Sequence, residues 1–84
     1  MLLYVLPREG EVRVGFVASR RVGGAVVRNR ARRRMKEAWR SLSPMATGGF
    51  DIVVSARQQL PGVDMNDLVT EMRDLLREAK VIPR

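Results

Sequence analysis

The strongest constraint on this chain is an apolar series at helical spacing set inside its most highly charged stretch. Val27, Ala31, Met35, Ala38, Trp39 and Leu42 fall within about 120° of a helical circumference, while Asn29, Arg32, Arg33, Lys36 and Arg40 gather on the opposite side. Nine of the sixteen basic residues lie between Arg20 and Arg40, where Glu37 is the only acid. A segment so charged cannot be buried, and one with such an apolar stripe must cover it. The spacing therefore predicts a helix over Ala25–Leu42, seated on a core by one face and open to water on the other. Arg30 and Arg34 project from one flank. Arg28 sits just inside the apolar sector, where its stem can pack while its guanidinium reaches out.

The window carries a net charge of +8 and the remainder of the chain −1, together giving the +7 of the whole. A solvated helix usually interleaves both signs, yet this one sets like charges at Arg28/Arg32, Arg30/Arg34 and Arg32/Lys36, which repel. Such density points to a polyanion partner. Eight of the nine basic residues are arginine, whose planar fork grips phosphate with two hydrogen bonds and stacks on bases. That favours nucleic acid over lipid. An interfacial membrane helix would need an outward apolar face, whereas Met35 and Trp39 are expected in the core, so no membrane partner is expected. Asn29 is the one uncharged residue of the block and has two readings: a donor and acceptor toward RNA, or helix N-terminal chemistry. Gly23-Gly24 is likewise either a close approach to phosphate at a helix start or a flexible entry to the helix.

The rest of the 84 residues reads as one domain, 1–84. Leu2 to Leu6 and Val12 to Ala18 form two apolar runs around Pro7-Arg8-Glu9-Gly10, which predicts a β-hairpin with both strands well buried. Phe50 to Ala56 alternates as a third strand. Asp64 can cap a second helix, with Leu68, Met72, Leu75, Leu76 and Ala79 at helical spacing. The order β-β-α-β-α implies an α+β fold, a small mostly antiparallel sheet packed with two helices. Tyr4 and Phe16 can stack on unpaired bases or belong to the core. The apolar run at the start is too short for a signal peptide or a membrane span.

The chain has neither histidine nor cysteine, which removes the commonest general base and the commonest soft metal ligands. Asp51, Asp64 and Asp67 are scattered rather than grouped in a motif, so catalysis and tight metal binding by this chain are not expected. A reduced cytoplasmic setting fits the lack of cysteine.

The stretch Arg13-Val14-Gly15-Phe16-Val17-Ala18-Ser19-Arg20-Arg21-Val22-Gly23-Gly24-Ala25-Val26-Val27, continuing into Arg28-Asn29-Arg30-Ala31-Arg32-Arg33, closely resembles the signature of the bacterial ribonuclease P protein subunit. Phe50-Asp51-Ile52-Val53-Val54 with Ala56-Arg57 resembles that family's next strand and exit, and the element order agrees from about Leu2 to Ala79. The resemblance implies a ribonuclease P protein-like (ribosomal protein domain-like) fold with a left-handed β-α-β crossover. It further implies a non-catalytic protein cofactor that is monomeric when free. Its partners would be the ribonuclease P RNA subunit and precursor tRNA with its 5′ leader, and Mg²⁺ used by the RNA subunit would cut that leader.

Carried over residue by residue, the family's basic block falls on Arg28, Asn29, Arg30, Arg32 and Arg33, and its basic pair before the turn on Arg20 and Arg21. Lys36 and Arg40 continue the same helical face. Tyr4 matches an aromatic of the family's leader cleft, and Val12, Val14 and Phe16 are the further candidates for that cleft. Arginine stands at Arg20, Arg21 and Arg32 where the family often has lysine; either suits phosphate. The family usually has an N-terminal helix and a short strand before the equivalent of Leu2, so the resemblance implies a cleft with one wall open. A general RNA-binding module such as a ribosomal protein is the alternative reading.

Overall fold

The computed structural model describes residues 1–57 and 60–83. The apolar runs form strands β1 (Leu2–Pro7), β2 (Arg13–Val17) and β3 (Phe50–Ser55), and the two helical patterns form α1 (Ala25–Leu42) and α2 (Met65–Glu78). The expected order β-β-α-β-α is therefore observed, and α1 keeps the bounds its spacing implied. Short 3₁₀ turns at Arg20–Val22, Ser43–Met45 and Leu60–Gly62 join the elements.

The strands do not pair as a hairpin. The sheet order is β1-β3-β2, with β1 antiparallel and β2 parallel to β3. β2 feeds α1, which returns the chain to lay β3 alongside β2. Ile52 and Val54 of β3 are almost fully buried, so this strand takes the central slot and β1 closes its other edge. Local turn signals at Pro7-Gly10 could not register that competition, because the winning partner lies about forty residues downstream. Instead of a tight reversal, the segment after β1 steps over the entry to β3, where the Arg8 amide donates to the Gly49 carbonyl at 3.0 Å. Only glycine fits there: a Cβ at Gly49 would stand 2.2 Å from the Arg8 carbonyl oxygen and 2.6 Å from that of Gly10.

Both helices cover the same face of the sheet. Ala31, Met35, Ala38 and Leu42 of α1 meet Leu68, Met72 and Leu76 of α2 in a core with Ile52 and Val54, against which Leu3, Val5, Val14, Phe16 and Trp39 pack. Val27 lies at the rim, 37% exposed, because its turn of helix overhangs the core beside Gly23. A contribution the spacing did not reveal comes from the chain's end. Lys80 adopts a left-handed conformation (φ 62°), the Thr47 amide donates to the Val81 carbonyl at 2.8 Å, and Val81 and Ile82 become buried.

The other face of the sheet is uncovered among the described residues. Leu2, Tyr4, Leu6, Val17 and Val53 are all more than a third exposed, so β1 and β2 are each buried on one side only. An unbroken apolar run suggested two buried faces, but two helices have surface enough for one.

Candidate nucleic-acid interface

α1 presents the cationic surface, and its core contacts fix which arginines face outward. Asn29, Arg30, Arg33, Lys36 and Arg40 are exposed, as are Arg20 and Arg21 on the 3₁₀ turn ahead of the helix. Arg28 and Arg32 are half-buried. The Nε of Arg28 is shielded and makes no hydrogen bond among the described residues, as expected of a stem laid along the apolar sector. Val26, Asn29, Arg32, Arg33 and Lys36 line one shallow depression on the outer side of the helix. The nine residues expected to contact RNA all lie on the 3₁₀ turn or on α1, seven of them exposed and Arg28 and Arg32 half-buried.

Arg34 has a different job. It lies on the flank toward the 3₁₀ turn that precedes α2, where its guanidinium donates to the carbonyls of Leu60, at 3.3 Å, and Val63. One arginine of the basic run is therefore a structural tie, a distinction that charge counting cannot make.

Asn29 also resolves. It lies in the second turn of α1, well inside the Gly24 N-cap, and its Oδ1 accepts a hydrogen bond from Arg32. It does no capping work; it holds a neighbouring guanidinium in place. Gly24 provides no side-chain cap and the first turn contains no acid, so the positive end of the helix dipole adds to the field of the arginines. Gly23 has a structural need, since at φ 149° an added Cβ would stand 2.9 Å from the Val27 side chain.

The uncovered sheet face lies on the side of the sheet opposite the helices, and its edge strand β2 runs on through the Arg20–Val22 turn into α1. Pairing aligns three rows across it: Leu6–Asp51–Arg13, Tyr4–Val53–Gly15 and Leu2–Ser55–Val17. Tyr4 is 59% exposed, as a base-stacking residue must be. Val12, Val14 and Phe16 do not share its face: all three pack against the core. The strand register, which the sequence left open, assigns the open face to Leu2, Leu6, Val17 and Val53 instead. Alternation counted from Tyr4 along β1 would have found Leu2 and Leu6. Val17 and Val53 required the pairing.

Asp51 is the acid on that face. It accepts from Arg13 Nε at 2.9 Å and from Nη2 at 3.3 Å, and Arg8 Nε stands 3.5 Å away. The hydrogen bond from Arg13, reinforced by the charges of Arg13 and Arg8, holds the Asp51 carboxyl below the usual carboxylate range. Among the described residues no group of three or more carboxylates could hold a metal ion, and no helix is long and apolar enough to cross a membrane.

These features define a class: a small α+β protein with a cationic helix packed on one face of a mixed sheet whose other face is uncovered among the described residues. The ribonuclease P family model matches residues 1–80. The ribonuclease P protein component of Chloroflexus aurantiacus is 46% identical over 85 residues, spanning 99% of this chain and 63% of that protein. That of Roseiflexus castenholzii is 39% identical, covering 98% and 69% respectively. The RNase P protein of Staphylococcus aureus superimposes with a TM-score of 0.80 at 25% identity, covering 96% of this chain and 75% of the other. That of Thermotoga maritima gives 0.74 at 31% identity, covering 90% and 76%. The chain belongs to the ribonuclease P protein family, and it spans about 63% of the length of the Chloroflexus relative.

Proposed function

We propose that this chain acts as the protein subunit of ribonuclease P. The outer face of α1, with Arg20 and Arg21, binds the RNA subunit, and the uncovered sheet face receives the single-stranded 5′ leader of precursor tRNA. The observation that carries this reading is that a member of this family presents both surfaces: a dense arginine face suited to folded RNA on α1, and an apolar, aromatic-bearing face suited to unpaired bases on the side of the sheet opposite the helices. Hydrolysis is assigned to the RNA subunit and its Mg²⁺. That assignment is supported by the lack, among the described residues, of a carboxylate cluster able to hold a metal ion, and by Arg13 and Arg8 engaging the Asp51 carboxylate. What the protein contributes is charge and position. Its cations offset the repulsion between two RNAs, and its sheet holds the leader so that the cleavage site is presented.

The test is reconstitution. Added to bacterial ribonuclease P RNA at low Mg²⁺, the chain should restore cleavage of precursor tRNA and favour it over mature tRNA. No stimulation would overturn the reading, and equal affinity for unrelated structured RNAs would indicate a general RNA-binding module instead. If six to eight cations contact phosphate, the log-log dependence of affinity on salt should have a slope of roughly −4 to −7, at about 0.7 to 0.9 per contact.

A further inference from the structure

An acid on a face meant for RNA needs a reason. Asp51 is 41% exposed at its side chain and sits in the end row of the open sheet face, flanked by Leu6 and Arg13. Placed there for charge alone, it would repel the partner that the surrounding cations attract.

Its contacts supply the reason. Arg13 lies at the outer edge of the sheet, 67% exposed, and a free arginine in that position would sample many rotamers. Asp51 takes the Nε and Nη2 edge of the guanidinium with both carboxylate oxygens. Two of the five N–H donors are thereby used, and three remain in a fixed plane. Arg8 stands on the same carboxylate, and its Nη1 donates to the Glu11 carbonyl at 2.8 Å, so the loop closing this end of the face is tied to the same point.

The neighbouring row keeps the approach open. Gly15 is the next residue on that side of β2, about 6.8 Å along the strand. Its backbone is not in the left-handed region, and a Cβ there would meet nothing within 4 Å. No fold requirement calls for glycine, which weakens a strand interior. Its absent side chain leaves a flat path between Tyr4 and the Arg13 fork.

We propose that Asp51 is a positioning residue that aims Arg13 at a backbone phosphate of the single-stranded leader, with Gly15 leaving the path by which that strand crosses the sheet. The inference rests on the functional reading given above. Pure charge and positioning predict opposite signs for one substitution. Asp51→Asn removes a negative charge and would tighten RNA binding if charge alone mattered, whereas a released Arg13 weakens contact with the leader.

The experiment uses bacterial ribonuclease P RNA assembled with the chain, and compares affinities for precursor tRNA and for mature tRNA lacking the leader. Asp51→Asn should weaken precursor binding by about fivefold or more, as loss of an aimed charged hydrogen bond would, with mature tRNA unaffected. Precursor binding as tight as, or tighter than, that of the unmodified chain overturns the proposal. Arg13→Lys provides the second arm, because lysine keeps the cross-strand charge pair but lacks the fork: loss of the precursor preference with an unchanged melting temperature supports positioning, and an intact preference overturns it. If the unmodified chain shows no preference for the precursor, the functional reading itself fails, an outcome distinct from a failure confined to the variants.

Discussion

Adjacent arginines in one basic run should fail in opposite ways. Arg34 donates to the carbonyls of Leu60 and Val63, joining α1 to the turn that leads into α2, whereas Arg33 is exposed on the outer face. Arg34→Met keeps an apolar stem and deletes the donors. A hydrogen bond from a charged donor contributes about 1.5 to 3 kcal/mol. The site is only partly buried, so water can replace some of what is lost, and the loss is taken as one such bond. In a domain of this size, about 4 to 8 °C of melting temperature corresponds to each kcal/mol, which gives a fall of about 6 to 24 °C. Arg33→Gln should leave stability within about 0.5 kcal/mol, as surface substitutions do. It should instead reduce the salt-dependence slope of RNA binding by about 0.7 to 0.9, the share of one phosphate contact. Thermal melts by circular dichroism and binding isotherms at several salt concentrations measure both quantities on both variants. Equal melting temperatures for the two, or a reduced slope in folded Arg34→Met, would refute the division of labour.

Other consequences follow from the same geometry. Gly49→Ala should destabilise by at least about 2 kcal/mol, because the atoms its Cβ would strike are backbone carbonyls that cannot swing aside; a urea titration with unchanged midpoint would contradict this. Met35, fully buried between the helices, should cost about 2 to 5 kcal/mol on truncation to alanine, whereas half-buried Trp39 should cost less than the roughly 3 to 5 kcal/mol of a fully buried aromatic. A larger loss at Trp39 than at Met35 would misplace the core. Asp51 should titrate below an ordinary aspartate in carboxyl-detected NMR, and Arg13→Gln should move it upward. Since its folded pKa is the lower one, any stability it contributes is present above about pH 3.9 and is lost as pH falls through the folded value. The group is exposed, so the expected change is small. Acid unfolding of Asp51→Asn should be slightly less steep, and a steeper curve would reverse the sign.

Much of this protein was legible before folding because it depends on local periodicity. The stripe from Val27 to Leu42 called for a helix on a core, which buries Ala31, Met35, Ala38 and Leu42 and leaves Val27 at the rim, and the charge crowded onto its other side had then to face out. The alternation of Phe50 to Ala56, which forms a strand over Phe50–Ser55, and the N-cap position of Asp64, whose side chain makes no capping hydrogen bond, were equally local, as was the resemblance carried by the arginine block. What the sequence alone could not decide were relations between distant segments. Whether β1 pairs with β2 or β3 depends on which strand α1 returns to the middle of the sheet. That choice determines the register, and the register sends Val14 and Phe16 inward while leaving Leu6 and Val53 outward. It also brings Arg13 to Asp51, and it is tertiary packing that separates Arg34 from Arg33. The reason is physical: helical spacing is set by neighbours within a turn or two, whereas pairing and burial are set by competition among surfaces that meet only when the chain has closed.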